Sequence, residues 1–207
     1  AKIILNHWGF FEKISVIPCC VDTDVFKGLL DIQKENVKRN LGLIGKDVYL
    51  YSGSLGSWYL LDEMVGFFKM IRSRNDNAVF LVITKDNASK LVSKFKEYSV
   101  SDYKIISAEA SEMPGLIGIA KLGFIFLKEC MSTKGAFPIS MAEYVACGVP
   151  VAVTQFSPSV TKMILDNHVG FICKNGLANE DNYAQYEKFM NLPGLVYTCR
   201  NFAVKML

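Results

Sequence analysis

The stretch "DVYLYSGSLGSWYLLDEMVGFFKMIRSRNDNAVFLVIT", residues 47–84, decides the fold of this chain. It runs from a short apolar segment through a turn with two glycines into apolar residues at three- and four-residue steps, and ends on a second apolar segment. Apolar runs rich in β-branched and aromatic residues are typical of strands buried on both faces, and the longer steps indicate an amphipathic helix. The residues at those steps are Leu61, Met64, Val65, Phe68 and Ile71. The stretch therefore predicts a strand–helix–strand unit.

The same alternation extends along most of the chain. Besides 47–52 and 78–84, strands are predicted at 103–108, 123–128, 149–154 and 169–174. Helices are predicted at 31–41, 58–74, 86–98, 111–123, 138–148 and 160–168, and two more in the tail 178–207, broken near 191–194. This alternation predicts one Rossmann-like, three-layer α/β domain with a mostly parallel sheet of about six strands.

Composition excludes several classes of protein. The 207 residues are 51% hydrophobic and 21% charged, with a net charge of +3, which describes a globular protein and disfavours nucleic-acid binding. No apolar run reaches the ~18 to 20 residues that cross a bilayer, and the first residues lack a signal-peptide pattern. The six cysteines form no C-x-x-C pair, so we expect reduced thiols in or near the core of a cytoplasmic protein, against the alternative of a metal or disulfide framework.

The loop after the first strand, "SGSLGSW" (52–58), is one candidate binding element. In such sheets, ligands bind outside the carboxyl ends of the strands where the strand order reverses. Gly53 and Gly56 allow the backbone to approach a ligand closely. Their G-x-x-G spacing does not match the G-x-G-x-x-G fingerprint of dinucleotide-binding proteins, and a tight turn without a ligand is the alternative.

A second candidate is the loop 129–137, which leads into a helix predicted to begin at Pro138. Proline is favoured at the first helical position. The free amides near Ile139 and Ser140 would then face the same crevice as the glycine loop. Lys128 and Lys134 flank this loop, and lysines beside a helix N-terminus suit a phosphate-bearing ligand. The alternative is that both lysines are solvated surface residues.

Glu143 is a charged residue in an otherwise apolar segment, 135–154. Charged side chains are almost never buried unless they are paired or hydrogen-bonded. A carboxylate accepts hydrogen bonds and donates none, so a sugar diol is a good partner. An ordinary buried ion pair is the alternative that spacing leaves open.

Four motifs in this order resemble a known family. They are "VIPCCVD" (16–22), "YSGSLGSWYLLDEM" (51–64), "EMPGLIGIAKLGFIFLK" (112–128) and "PISMAEYVACGVPVAVT" (138–154). Together they look like the carboxy-terminal, nucleotide-sugar-binding domain of the retaining glycosyltransferases of family 4, which have the two-domain GT-B fold. The resemblance covers roughly residues 12–175. It implies the donor-binding half of an enzyme that transfers a sugar from a nucleoside-diphosphate sugar to a glycan or glycoconjugate.

The resemblance also assigns roles to residues. It implies that Glu143 binds the ribose hydroxyls, that the backbone of Ile106 and Ser107 holds the base, and that Gly53 to Gly56 lie against the diphosphate and the acceptor side. It implies catalysis without a metal ion or a cofactor. The complete candidate set for nucleotide-sugar binding is Gly53, Ser54, Leu55, Gly56, Ile106, Ser107, Lys128, Lys134, Phe137, Pro138, Ile139, Ser140 and Glu143.

The chain departs from the family pattern at the residues that hold the diphosphate. Many relatives carry an Arg and a Lys where this chain has Ser54 and Tyr59, and a glutamate where it has Gly135. A related branch has a lysine at the place of Ser140. Lys128 and Lys134 are the substitutes that we expect. Such losses also leave open a non-catalytic nucleotide-sugar-binding domain, and a nucleotide-sugar epimerase with this fold is a further alternative.

The resemblance further implies a domain organisation. Residues 1–12 would be a remnant of an N-terminal domain or its linker, 13–193 the nucleotide-sugar-binding domain and 194–207 a truncated C-terminal helix. The missing N-terminal domain would supply most contacts to a glycan or lipid-linked acceptor, so the chain alone is expected to be inactive. Polysaccharide biosynthesis in the cytoplasm, with peripheral association of the whole protein at the inner face of the membrane, is the expected setting.

Overall fold

The computed structural model describes residues 17–174 and 179–206 of the chain. Six strands form one sheet in the order β3-β2-β1-β4-β5-β6, and every pairing is parallel. The strands are β1 (Asp47–Ser52), β2 (Ala78–Ile83), β3 (Tyr103–Ile106), β4 (Ala120–Ile125), β5 (Val151–Thr154) and β6 (Gly170–Cys173). The predicted fold class, a single α/β domain with a six-stranded parallel sheet, is confirmed.

Helices cover both faces of the sheet. They are α1 (Asp31–Leu41), α2 (Leu61–Arg72), α3 (Ser89–Glu97), α4 (Met113–Gly118), α5 (Ile139–Ala146), α6 (Pro158–Asn167), α7 (Glu180–Met190) and α8 (Leu195–Met206), with a 3₁₀ turn at Thr133–Gly135. Side chains alternate along a strand, so Val48 and Leu50 join the core under α4, α5, α6 and α8, while Tyr49 and Tyr51 join the core under α2, α3 and α7. The result is a three-layer domain with two apolar cores.

Two predicted boundaries around β4 were wrong. The helix predicted over 111–123 ends at Gly118, because Ala120 and Leu122 pair with β1. The strand predicted over 123–128 ends at Ile125, and the residues that follow it form an antiparallel bridge between Leu127 and Tyr59. This bridge occupies the backbone just before α2, so that helix begins at Leu61 and not at residue 58.

Other parts of the prediction differ less. The strands at 103–108, 149–154 and 169–174 are shorter by about two residues, and the tail does contain two helices, interrupted at 191–194. All six cysteines are free, but Cys19 and Cys20 are exposed and not in the core. The predictions for residues 1–12 lie outside the described residues. Within the described part of the chain, no helix is long and apolar enough to cross a membrane.

Candidate functional site

The carboxyl ends of the central strands open into a cleft. The order of strands reverses at β1, which lies between β2 and β4, and this is the point at which α/β sheets bind ligands. A cavity of about 630 Å³ lies there, within the range of small-molecule sites. It is lined principally by residues 51–54, 83–86 and 136–140, together with Glu143.

About half of the sequence-predicted candidates line this cavity. They are Gly53, Ser54, Phe137, Pro138, Ile139, Ser140 and Glu143. Leu55 and Gly56 belong to the same loop but do not line the cavity. Ile106 and Ser107 do not line it either, although the next residue, Ala108, does. Lys128 and Lys134 also lie outside the lining. The two candidate loops therefore meet in one cleft, as predicted, but the cations do not join them.

Helix α5 presents unused hydrogen-bond donors to the cleft. Pro138 is the N-cap, in an extended conformation, and not the first helical residue, so the helix begins at Ile139. The first intrahelical donor of the turn is the Met141 amide, which donates to the Pro138 carbonyl at 3.1 Å. The amides of Ile139 and Ser140 have no acceptor among the described residues. The first amides of a helix and its dipole favour an anionic ligand.

Tyr144 fixes α5 against the sheet from behind. Its ring lies against Gly123 of β4, where a Cβ atom would overlap the ring. Its hydroxyl accepts a hydrogen bond from the Ser52 amide at 2.7 Å and donates one to the Ser52 hydroxyl at 2.9 Å. Tyr144 is fully buried, so these bonds hold the helix rigidly at the end of β1. The neighbouring residue, Glu143, consequently lines the cleft.

Glu143 is half-buried without a partner. Within the described part of the chain, its carboxylate has no hydrogen bond and no ion pair. Burial raises the pKa of Glu143 above its ordinary value. The ion-pair alternative therefore finds no support among the described residues. A half-buried carboxylate that faces a cleft needs hydrogen-bond donors from a ligand or from water.

The glycine loop, residues 53–56, has a different character because all of its donors except the Ser54 amide are used within the described part of the chain. The amide of Gly53, which has φ 147°, donates to the Ile83 carbonyl at 3.0 Å. The Leu55 amide and the Ser54 hydroxyl both donate to Asp86 Oδ2, at 2.7 and 2.6 Å. The Gly56 amide donates to Ser54 Oγ at 3.3 Å. Hydrogen bonds from the Ser54 hydroxyl and the Leu55 amide hold the pKa of Asp86 below its ordinary value.

The cations that the sequence suggested, Lys128 and Lys134, lie outside the cavity lining. Lys134 Nζ lies 3.4 Å from Glu129 Oε1 on the surface. The backbone of Lys128 bonds to the Trp58 carbonyl and to the Thr133 hydroxyl, and its side chain is outside the cavity lining. The lysine that does line the cavity is Lys85, whose Nζ lies 2.9 Å from Glu109 Oε1.

Sequence reasoning missed Lys85 and Asp86. Both follow β2 within three residues, and the carboxyl end of a strand next to the strand-order reversal is a site-forming position. Their place directly after the apolar run 78–84 was the signal that could have identified them.

An aromatic wall closes the cleft beside the glycine loop. Trp58 is 55% exposed and lines the cavity, and the Tyr59 ring meets Tyr51 edge-on at 5.8 Å. The antiparallel bridge between Tyr59 and Leu127 holds this segment in place. Tyr59 stands where many family members were expected to carry a lysine, so this wall is uncharged.

No metal site is evident in the described part of the chain. Residues 17–174 and 179–206 contain no group of three His, Cys, Asp or Glu side chains that could hold a metal ion.

The fold and cleft define the class as a Rossmann-like domain with an open cleft at the strand-order reversal, the place where such domains bind ligands. Residues 33–205 match the model of the family "Glycosyl transferases group 1", and the chain belongs to this family. A search among curated proteins found no significant match.

Solved structures share this fold. A glycosyltransferase from Rickettsia africae is 15% identical, with a TM-score of 0.76 over 100% of this chain and 57% of that one. Anabaena Alr3699/HepE in complex with UDP-glucose is 15% identical, with a TM-score of 0.73 over 98% of this chain and 56% of that one. The C-terminal domain of LpcC from Francisella tularensis is 17% identical, with a TM-score of 0.67 over 90% of this chain and 95% of that domain. The chain thus spans little more than half of the first two proteins.

Proposed function

We propose that this chain is the nucleotide-sugar-binding half of a GT-B glycosyltransferase of the family 4 type. The whole enzyme would transfer a sugar from a nucleoside-diphosphate sugar to a glycan or glycoconjugate, with retention of anomeric configuration. The observation that carries the proposal is the pairing, on one helix, of unused amides at Ile139 and Ser140 with the unpaired carboxylate of Glu143. The Anabaena relative, which shares the fold, was crystallised with UDP-glucose, which supports a uridine nucleotide as the first ligand to test.

The geometry suggests that two parts of α5 bind different parts of the ligand. The amides of Ile139 and Ser140 would donate to phosphate oxygens, where the helix dipole favours negative charge. Glu143 lies about one turn further along and would accept hydrogen bonds from the two ribose hydroxyls. The positioned amides would also stabilise the charge that grows on the diphosphate as it leaves. No metal ion or cofactor is required in this proposal.

The acceptor side belongs to the rest of the proposed enzyme. We propose that a preceding domain supplies most acceptor contacts, because in a two-domain enzyme the reacting groups are aligned only in the closed cleft. Its acceptor would be a glycan or lipid-linked glycan used in polysaccharide synthesis. We propose a cytoplasmic location, at the inner face of the membrane when the acceptor is lipid-linked.

Calorimetry with uridine, UDP and UDP-glucose on the 207-residue chain tests the binding half of the proposal. Glu143→Gln removes the charge that receives the ribose hydroxyls, so we expect affinity for UDP to fall by about 1.5 to 3 kcal/mol. Glu35→Gln is the matched control, because Glu35 is exposed on α1, away from the cleft. UDP affinity that is equal in the Glu143→Gln variant and the wild type, with normal melting of both, would contradict the ribose assignment.

A non-catalytic nucleotide-sugar-binding domain is the second candidate. It is favoured by Ser54 and Tyr59, which stand where diphosphate-binding cations were expected, and by the carboxylate of Asp86 in the same cleft. Incubation of the full-length protein with radiolabelled UDP-glucose and a glycan acceptor separates the outcomes. Transfer of label supports the proposed enzyme, a changed sugar without transfer supports an isomerase, and binding without turnover supports the second candidate.

A further inference from the structure

Asp86 occupies the position on the glycine loop that an anion would take. Its Oδ2 atom accepts a hydrogen bond from the Ser54 hydroxyl at 2.6 Å and another from the Leu55 amide at 2.7 Å. A phosphate oxygen at this place would accept hydrogen bonds from the same two donors, because hydroxyls and backbone amides are ordinary phosphate ligands. The loop therefore already holds one negatively charged group that belongs to the chain itself.

Two further donors of the loop are also engaged, and the Ser54 amide is the one loop amide without an acceptor among the described residues. The Gly53 amide is bonded to the Ile83 carbonyl, and the Gly56 amide is bonded to Ser54 Oγ. The hydroxyl of Tyr51 donates to the Ser54 carbonyl and holds the loop from below. A phosphate that reached this loop would have to displace the Asp86 carboxylate and would meet its negative charge. The loop is therefore a poor place for a second anion.

The other oxygen of Asp86 remains available as an acceptor. Among the described residues, Oδ1 has no hydrogen-bond partner, and Asp86 lines the cavity. A fixed carboxylate oxygen accepts hydrogen bonds from hydroxyl groups and offers no donor to a phosphate. The two walls of the cleft thus differ in their free groups: the α5 wall has two free helix amides followed by the Glu143 carboxylate, and the glycine-loop wall has the free Asp86 Oδ1 beside one free amide, that of Ser54.

We propose that Asp86 is a specificity-determining residue of the cleft. Its carboxylate fills the anion position of the glycine loop, so this loop takes an uncharged, hydroxyl-bearing part of the ligand and excludes phosphate. This inference rests on the proposed function, because it assumes that a nucleotide occupies the cleft. It departs from the expectation that Gly53 to Gly56 lie against the diphosphate.

The variant Asp86→Asn tests the inference through a ratio of affinities. Asparagine keeps an oxygen that can accept hydrogen bonds from the Ser54 hydroxyl and the Leu55 amide, but it removes the negative charge. We expect affinity for UDP to rise about threefold to tenfold, because a like charge near the phosphates is gone, while affinity for uridine stays within about twofold. Asp76→Asn is the matched control, since it makes the same change of charge at the opposite end of β2, beside Arg72.

Amide resonances from ¹⁵N-labelled protein give a second readout. In the wild type, UDP should shift the amides of Ile139 and Ser140 more than uridine does, whereas the Leu55 amide should respond equally to both ligands. In Asp86→Asn, a Leu55 amide that stays protected from solvent exchange before ligand is added would show that the loop is still held.

The outcomes separate this inference from the proposed function. If the wild type binds UDP but Asp86→Asn and Asp76→Asn have the same UDP-to-uridine ratio, Asp86 only braces the loop and the inference is wrong. A Leu55 amide that moves with UDP and not with uridine would overturn it as well, since phosphate would then bind on the loop. If the wild type binds neither UDP nor uridine, the proposed function fails and the inference fails with it.

Discussion

The two walls of the cleft satisfy their polar groups in opposite ways. On the α5 wall, the amides of Ile139 and Ser140 and the carboxylate of Glu143 have no partner among the described residues. On the glycine-loop wall, Ser54 and Leu55 are bonded to Asp86. Buried or half-buried polar groups are normally paired within a protein. In the proposed function, the wall with the unpaired helix amides is the one that receives the charged part of the ligand.

The difference originates in what holds each wall. Helix α5 is held from behind, by the Tyr144 hydroxyl on Ser52 and by the Tyr144 ring on Gly123, so its cleft side can remain unpaired without loss of position. Among the described residues, the glycine loop is held by the Tyr51 hydroxyl on the Ser54 carbonyl, by the Gly53 amide on the Ile83 carbonyl and by its own cleft-facing groups on Asp86. Perturbations of the two walls should therefore have different consequences.

The largest effect is expected from Gly123→Ala. The new Cβ atom would overlap the Tyr144 ring, which is fully buried and cannot move outward without moving α5. We expect the free energy of unfolding to fall by about 3 kcal/mol, at the upper end for overpacked cores, and UDP affinity to fall with it. Urea denaturation and calorimetry measure the two effects. Gly135→Ala is the control, because nothing lies within 4 Å of a Cβ atom there. Equal stability of the two variants would show that α5 is not held by this contact.

The next effect in size is expected from Tyr144→Phe. The change removes the hydroxyl that accepts a hydrogen bond from the buried Ser52 amide and leaves that amide without a partner. We expect a loss of about 1 to 2 kcal/mol in the free energy of unfolding. Tyr197→Phe, at an exposed position of α8, is the control. Because the aromatic ring remains, UDP affinity should fall less than in Gly123→Ala. A larger fall would indicate that the hydroxyl, and not the ring, sets the position of the helix.

The sequence predicts the scaffold of this cleft better than its chemistry. The apolar runs at 47–52 and 78–84 form paired, buried strands in the structure. Their composition predicts this, because a continuous apolar run fits a strand that is covered on both faces of the sheet. Boundaries near β4 failed for a definite reason. Residues 126–128 have strand-like composition, but they pair with residues 58–60 outside the sheet, and periodicity carries no information about such a partner.

The charged residues of the cleft were the harder part. Lys128 and Lys134 flank the predicted loop in sequence, yet a flanking position does not set the direction of a long side chain, and Lys134 lies against Glu129. The carboxylate of Asp86 binds residues that are distant from it in sequence. Its partners, Ser54 and Leu55, lie about thirty residues away across two parallel strands. Glu143 was found because its charge is rare within an apolar segment.

The third prediction concerns the cost of an unpaired carboxylate on the α5 wall. Burial raises the pKa of Glu143, so the folded protein holds this proton more tightly than the unfolded chain does. The ionised carboxylate therefore lowers the free energy of unfolding when the pH is above the folded-state pKa of Glu143. This loss disappears as the pH falls below the pKa that Glu143 has in the unfolded chain. We expect Glu143→Gln to be more stable than the wild type by about 0.5 to 1 kcal/mol at pH 7.

The pH dependence distinguishes this cause from a general effect of the substitution. The stability difference should vanish near pH 4, where the unfolded carboxyl is itself largely protonated. Urea denaturation at both pH values measures it, with Glu35→Gln as the control that should show no difference at either. A variant that is less stable than the wild type at pH 7 would indicate that Glu143 has a stabilising partner, and the wall would then not be open.

The smallest effect is expected from Ser54→Ala on the glycine-loop wall. The change removes one of the two donors to Asp86, but the Leu55 amide still holds the carboxylate, and the negative charge stays in place. The site is exposed, so we expect the melting temperature to fall by about 1 to 2 °C and UDP affinity to stay within about twofold. Together with Asp86→Asn, this variant separates charge from hydrogen bonding. If Ser54→Ala strongly weakened UDP binding, the Ser54 hydroxyl would be a phosphate ligand, and the contrast between the two walls would not hold.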